Sequence, residues 1–171
     1  MKNAFTLMVL VAAVGCASQT PSEHERLTVL QTPSSWKANS FWTIAVVDSK
    51  QRLIQSMTLR LTEDKGESCT NEDWYRAEVL AQEPAQHPQF QGMAAYQVTG
   101  RAFVLNLTAN LCDSDNELRG ELSETGVSGS YWSGGPLGGE FIGTFYGVMV
   151  ADVAAPNKLL HATCETHARE Q

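Results

Sequence analysis

The chain has 171 residues, with 19 Asp and Glu against 12 Lys and Arg, for a formal charge of −7. An acidic surface argues against nucleic acid as a partner and against electrostatic attraction to anionic lipid. Hydrophobic residues make up 43% and charged residues 18%, which suits one folded domain with a core of its own.

Residues 1–15 carry one charge, Lys2, followed by the apolar run that ends "VLVAAVG". This is the n-region and h-region layout of a secretory signal. The run falls short of the about 20 apolar residues a membrane-spanning helix needs. A buried helix of the domain is the other reading, but the polar "ASQTPSEHERLT" follows at once and offers no amphipathic continuation.

Ala13-Val14-Gly15-Cys16 resembles the bacterial lipobox, with Ala13 where leucine is usual. The resemblance implies cleavage before Cys16, a diacylglycerol on its thiol and an acyl group on the new amine. Two or three acyl chains meet the requirement of stable anchoring for more than one signal. Ala17, in place of aspartate, implies the outer membrane by the sorting rule of enterobacterial lipoproteins. The expected organisation is a signal peptide over 1–15, a polar tether over 16–35, an antiparallel β-domain over 36–152, and a short helix or tail over 153–171.

Within the domain, strands are expected where aromatic, β-branched or alternating residues run between turn signals. "SFWTIAVVD" (40–48) comes first, then "RLIQSMTLRLTE" (52–63), in which Leu53, Met57, Leu59 and Leu61 share a face. "WYRAEVLAQ" (74–82) places Tyr75, Ala77, Val79 and Ala81 together. "MAAYQVTG" and "RAFVLNLTA" follow, and between them the apolar parity changes from Tyr96 and Val98 to Phe103, Leu105 and Leu107. A parity change requires a turn or a bulge, and Gly100 is the site for either. "LRGELSE", "VSGSYWS" and "EFIGTFYGVMV" complete the set. Their internal glycines, set beside aromatics, fit tight curvature around a small interior.

"YQVTGRAFVLNL", as a strand, tight turn and strand, resembles part of a small lipocalin-like barrel. "GGEFIGTFYG" is similar to strands of lipoprotein barrels related to transferrin-binding proteins. The Gly-x-Trp signature of lipocalins is absent; Ser35-Trp36 and Phe41-Trp42 stand instead. The fold expected is all-β, an antiparallel up-and-down barrel of about eight strands, with a β-sandwich as the alternative.

Cys69, Cys112 and Cys164 remain after processing, and an exported chain favours one disulfide. The expected pair is Cys69–Cys112, since both lie within the domain and Cys164 lies in the tail. In an up-and-down barrel this pairing commits Gly100 to a bulge. A true hairpin at Gly100 would set Cys69 and Cys112 at opposite ends and favour Cys69–Cys164.

The loops "ESCTNED" and "CDSDNE" carry Glu72, Asp73, Asp113, Asp115 and Glu117, hard oxygen ligands of the kind calcium takes. Neither has the sixth-position glycine of an EF-hand, and each also reads as a solvated acidic loop. In the tail, His161, Cys164 and His167 offer three soft ligands and no fourth for a structural zinc site. No metal and no cofactor are expected.

Catalysis finds little support. No Gly-x-Ser-x-Gly elbow exists, and "GVSGS" falls in an expected strand. His24, His87, His161 and His167 fall in the tether, a proline-flanked loop and the tail. The function expected is a non-enzymatic, lipid-anchored envelope lipoprotein that binds a protein as inhibitor, immunity factor or accessory subunit. The alternative is a carrier holding an apolar small molecule in the barrel.

Overall fold

The computed structural model describes residues 31–70, 73–85 and 91–151. The signal, most of the tether, the tail, His87 and Glu72 lie outside these residues. Eight strands follow in order: β1 (Ser40–Val47), β2 (Leu53–Lys65), β3 (Tyr75–Glu83), β4 (Ala95–Thr99), β5 (Ala102–Asn106), β6 (Asp115–Leu122), β7 (Val127–Gly135) and β8 (Gly138–Val150). Each pairs antiparallel with the next, and β8 returns to β1, so the sheet closes as an up-and-down barrel.

Closure follows from the pattern of residue sizes. Eight strands leave an interior just wide enough for side chains to fill. Every strand contributes to one contiguous buried cluster, among them Ile44, Leu59, Ala77, Tyr96, Phe103, Leu118, Tyr131 and Phe145. Phe103, Gly120, Gly129 and Phe145 lie opposite one another in a row across β5 to β8. The two phenylalanine rings meet over the two glycines, with centroids 6.4 Å apart. A Cβ on Gly129 would lie 2.1 Å from the Arg119 carbonyl oxygen, and one on Gly120 would lie 2.9 Å from the Phe145 ring. The glycines therefore allow the sheet to coil tightly, and the aromatics fill the space that their missing side chains leave.

Trp36 caps the end of the barrel where β1 begins. Its ring lies 5.5 Å from Trp42, 6.0 Å from Tyr96 and 6.2 Å from Phe103. Just before it, Ser34 Oγ donates to Glu124 and Ser35 Oγ to the Ser123 carbonyl, so the approach to the domain is held on the β6–β7 turn.

Gly100 makes a hairpin turn. Thr99 pairs with Ala102 around it, and its φ is +59°, a left-handed conformation that glycine adopts without strain. The parity change between Val98 and Phe103 is thus a turn, and the bulge to which the expected disulfide committed this position is corrected. Cys69 and Cys112 are nevertheless joined, with Cα atoms 5.2 Å apart.

The reason is a large stagger between β3 and β4. Only Tyr75↔Tyr96 and Arg76↔Ala95 pair between them, and Ala77 N–H adds a bond to the Ala94 carbonyl. The first residues of β3 therefore stand beside the first residues of β4. Loops at nominally opposite ends are brought level, so that Cys69 N–H donates to Ala109 O and Ala109 N–H to Met93 O, each at 3.0 Å. The β2–β3 loop folds against the outside of β4 and β5, where Trp74, Ala95 and Ala109 form a second buried cluster packed by Val104. The rule that ends cannot be bridged holds only for strands in level register.

Candidate functional site

The stagger leaves an edge in an otherwise closed sheet. Beyond Ala77, β3 from Glu78 to Glu83 pairs, among the described residues, with β2 alone. Register shifts along it, because Thr58 faces Ala81 while Leu59 faces Val79. Leu80 is the extra residue of this bulge and is 45% exposed. Val79 still packs on the core, whereas Ala81 has passed to the exposed side. The expected single face of Tyr75, Ala77, Val79 and Ala81 therefore breaks at the bulge, since one inserted residue reverses the pleat.

Chemically, this edge presents backbone donors and acceptors, one exposed leucine and two carboxylates, Glu78 and Glu83. Arg60 reaches Glu78 at 3.7 Å from the neighbouring strand. Unpaired edges invite another strand, and charges and bulges govern which strand can join. A second copy of the same edge, laid antiparallel and centred on Leu80 and Ala81, would set Glu78 against Glu83 twice. Like charges directly opposite are destabilising, so the edge selects against self-pairing.

Near the first residues of β3, a cleft of about 420 Å³ opens beside the Trp36 cap, lined by Thr32, Trp36, Ala38, Glu63, Tyr75, Tyr96 and Val98. The Tyr96 hydroxyl donates to the Thr62 carbonyl at 2.7 Å, and its ring lies 5.8 Å from Tyr75. Burial pushes the Tyr96 phenol up to about 12, with the neighbouring Tyr75 and Glu63 adding to the shift.

The acidic residues do not gather as two facing loops. Asp115 and Glu117 belong to β6, which begins earlier than expected, and they project outward from it. The buried Asn106 side chain donates to both, at 3.4 Å each, and Arg119 pairs with Glu117. Asp73 is held by the Lys65 ammonium, which keeps its carboxyl below the usual range. Among the described residues, no group of three or more His, Cys, Asp or Glu is placed to hold a metal ion. Glu72, Cys16, His161, Cys164 and His167 lie outside the described residues.

Sequence reasoning did not single out the β3 edge. No motif marks a stagger, because it is a property of pairing between strands and not of either strand. The short β4 between Met93 and Gly100 was the only local signal, and it reads equally as one arm of a hairpin. No family model, curated protein or solved structure matches the chain.

Proposed function

We propose that the chain is an outer-membrane lipoprotein, anchored by acyl groups on Cys16, whose barrel binds a protein partner without catalysing a reaction. It would serve as an inhibitor, immunity factor or accessory subunit of an envelope assembly. The observation that carries this reading is the edge of β3 from Glu78 to Glu83, which among the described residues pairs on one side only and bears the exposed Leu80. A strand with basic residues opposite Glu78 and Glu83 would complete the sheet. The interior, by contrast, is taken up by side chains from all eight strands.

A photo-crosslinking residue placed at position 80 in cells should give one discrete protein adduct. The same residue at position 121, exposed on the paired strand β6, should give none. Equal adducts at both positions, or none at position 80, would overturn the edge as the binding surface.

Carriage of an apolar molecule is the second reading. It is favoured by the cleft beside Trp36, whose lining of Trp36, Tyr75, Tyr96 and Val98 is aromatic and apolar.

A further inference from the structure

On the opposite side of the barrel, the outer face of β6, β7 and β8 carries an ordered set of side chains. Three rows run across these strands. The middle row is Glu117, Trp132 and Phe141; above it lie Asp115, Gly134 and Gly139; below it lie Arg119, Ser130 and Thr144. Trp132 is 43% exposed although it sits in the centre of a strand row. Its indole N–H donates to Ser130 Oγ at 3.0 Å, and Phe141 meets it edge to face with centroids 5.4 Å apart. Both contacts fix the ring while leaving part of its surface bare.

Next to the indole, Gly134 and Gly139 present backbone with no side chain above it. The result is a shelf beside a fixed aromatic plate, within a cleft of about 500 Å³. Polar groups ring that shelf. Asp115 and Glu117 are held by Asn106, and the Arg119 guanidinium is held by Glu117. The cleft therefore offers carboxylate acceptors and guanidinium donors around an apolar surface, all positioned by contacts within the protein.

We propose that this cleft binds a neutral saccharide, one pyranose ring lying on Trp132. A pyranose has a face of C–H groups and a rim of hydroxyls that each donate and accept. The bare indole matches the first, and Asp115, Glu117 and Arg119 match the second. Recognition by an apolar surface with a few convergent polar groups is the general pattern of small-ligand sites. A cationic ligand would meet the Arg119 guanidinium, and an anionic one would meet Asp115 and Glu117. An apolar peptide would leave those three charges facing its hydrocarbon, at a desolvation cost. A neutral polyol is the class that uses all of them. The site shares no residue with the β3 edge, so either can stand without the other.

The test uses the full chain in a detergent without a sugar headgroup. Soluble trimers of β-1,4-linked glucose and of β-1,4-linked N-acetylglucosamine serve as probes in calorimetric titration. Millimolar or tighter binding of at least one trimer is expected, with one trimer per chain. Trp132→Ala should weaken it by roughly tenfold or more, about 1.4 kcal/mol, since the indole is the apolar surface on which the ring lies. Asp115→Ala should weaken it as well, while both variants keep the parent melting temperature. Trp132→Phe, which retains a ring, should bind between the parent and Trp132→Ala. No binding of either trimer at millimolar concentration, binding unchanged by Trp132→Ala, or binding only of an apolar peptide would overturn the proposal.

Discussion

Tyr96 joins three parts of the molecule at one side chain. Its hydroxyl ties β4 to the Thr62 carbonyl of β2 across the start of β3, and its ring lies against both Tyr75 and the Trp36 cap. Burial of this phenol, raised from 10.0 to about 12, makes stability depend on alkaline pH. The unfolded chain loses the proton near 10 while the folded chain keeps it, so stability is intact below pH 10 and falls as pH climbs towards 12. Denaturant melts at pH 8, 9, 10 and 11 should show a decline beginning near the ordinary phenol range. Tyr96→Phe should flatten part of that decline; an unchanged slope would mean that another group carries it. Gly129 offers a second test at the same scale. Its Cβ would strike the Arg119 carbonyl oxygen, which is backbone and cannot swing aside. Gly129→Ala should destabilise the domain by about 3 kcal/mol or more. Gly139→Ala, whose Cβ would meet its nearest atom at an ordinary 3.6 Å, should change stability by less than about 0.5 kcal/mol. Equal effects in the two variants would contradict the crowding assigned to the Gly120–Gly129 row.

Among the elements, all eight strands were legible because each is bounded by residues that punctuate structure locally. β2 shows this in Met57, Leu59 and Leu61, which alternate inward, although Leu53, expected on the same face, is exposed. β1 was legible for a different reason: Trp42, Ile44 and Val46 face the core, while Thr43, Ala45 and Val47 are buried on the other face, so composition and not alternation marks it. β6 was read three residues short, because Asp115, Asn116 and Glu117 look like loop residues. The outward side chains of Asp115 and Glu117 are held by Asn106 and Arg119, the Asn116 side-chain amide donates to Thr108 Oγ1, and the backbone pairs with Ser133 and Gly134 regardless of their polarity. The seam between β3 and β4 was not legible, since the short β4 reads equally as one arm of a hairpin, and with it was lost the compatibility of a Gly100 hairpin with Cys69–Cys112. This disulfide fastens the sheet where strand pairing is thinnest. Replacing both cysteines by serine should cost about 2–4 kcal/mol. Hydrogen exchange should quicken first at Cys69 and Ala77, whose amides bond across the seam, and least along β7 and β8. Uniform acceleration over the barrel would mean that the bond acts only on the unfolded chain.

At the scale of the whole molecule, two surfaces of the barrel are proposed to meet a ligand: the edge on β3 and the shaped face on β6 to β8. Neither was visible as a motif. The β3 edge arises from register, and the aromatic face depends on the bulge between Tyr131 and Trp132 that brings Trp132 opposite Phe141. What the sequence did expose is the enclosed residue set, since Phe103, Leu105, Phe145 and their neighbours are apolar at the period of a strand. The proposal that this protein works through its outside, held to a membrane by Cys16, is tested most directly by native mass spectrometry of the full-length protein isolated gently from the envelope. The expected mass is that of the chain beginning at Cys16, with its acyl groups and one disulfide, and with no bound molecule of lipid size. A stoichiometric adduct of lipid size, lost when the barrel is unfolded, would contradict work through the outer surface and establish the carrier reading. A mass that retains residues 1–15 would contradict the anchor.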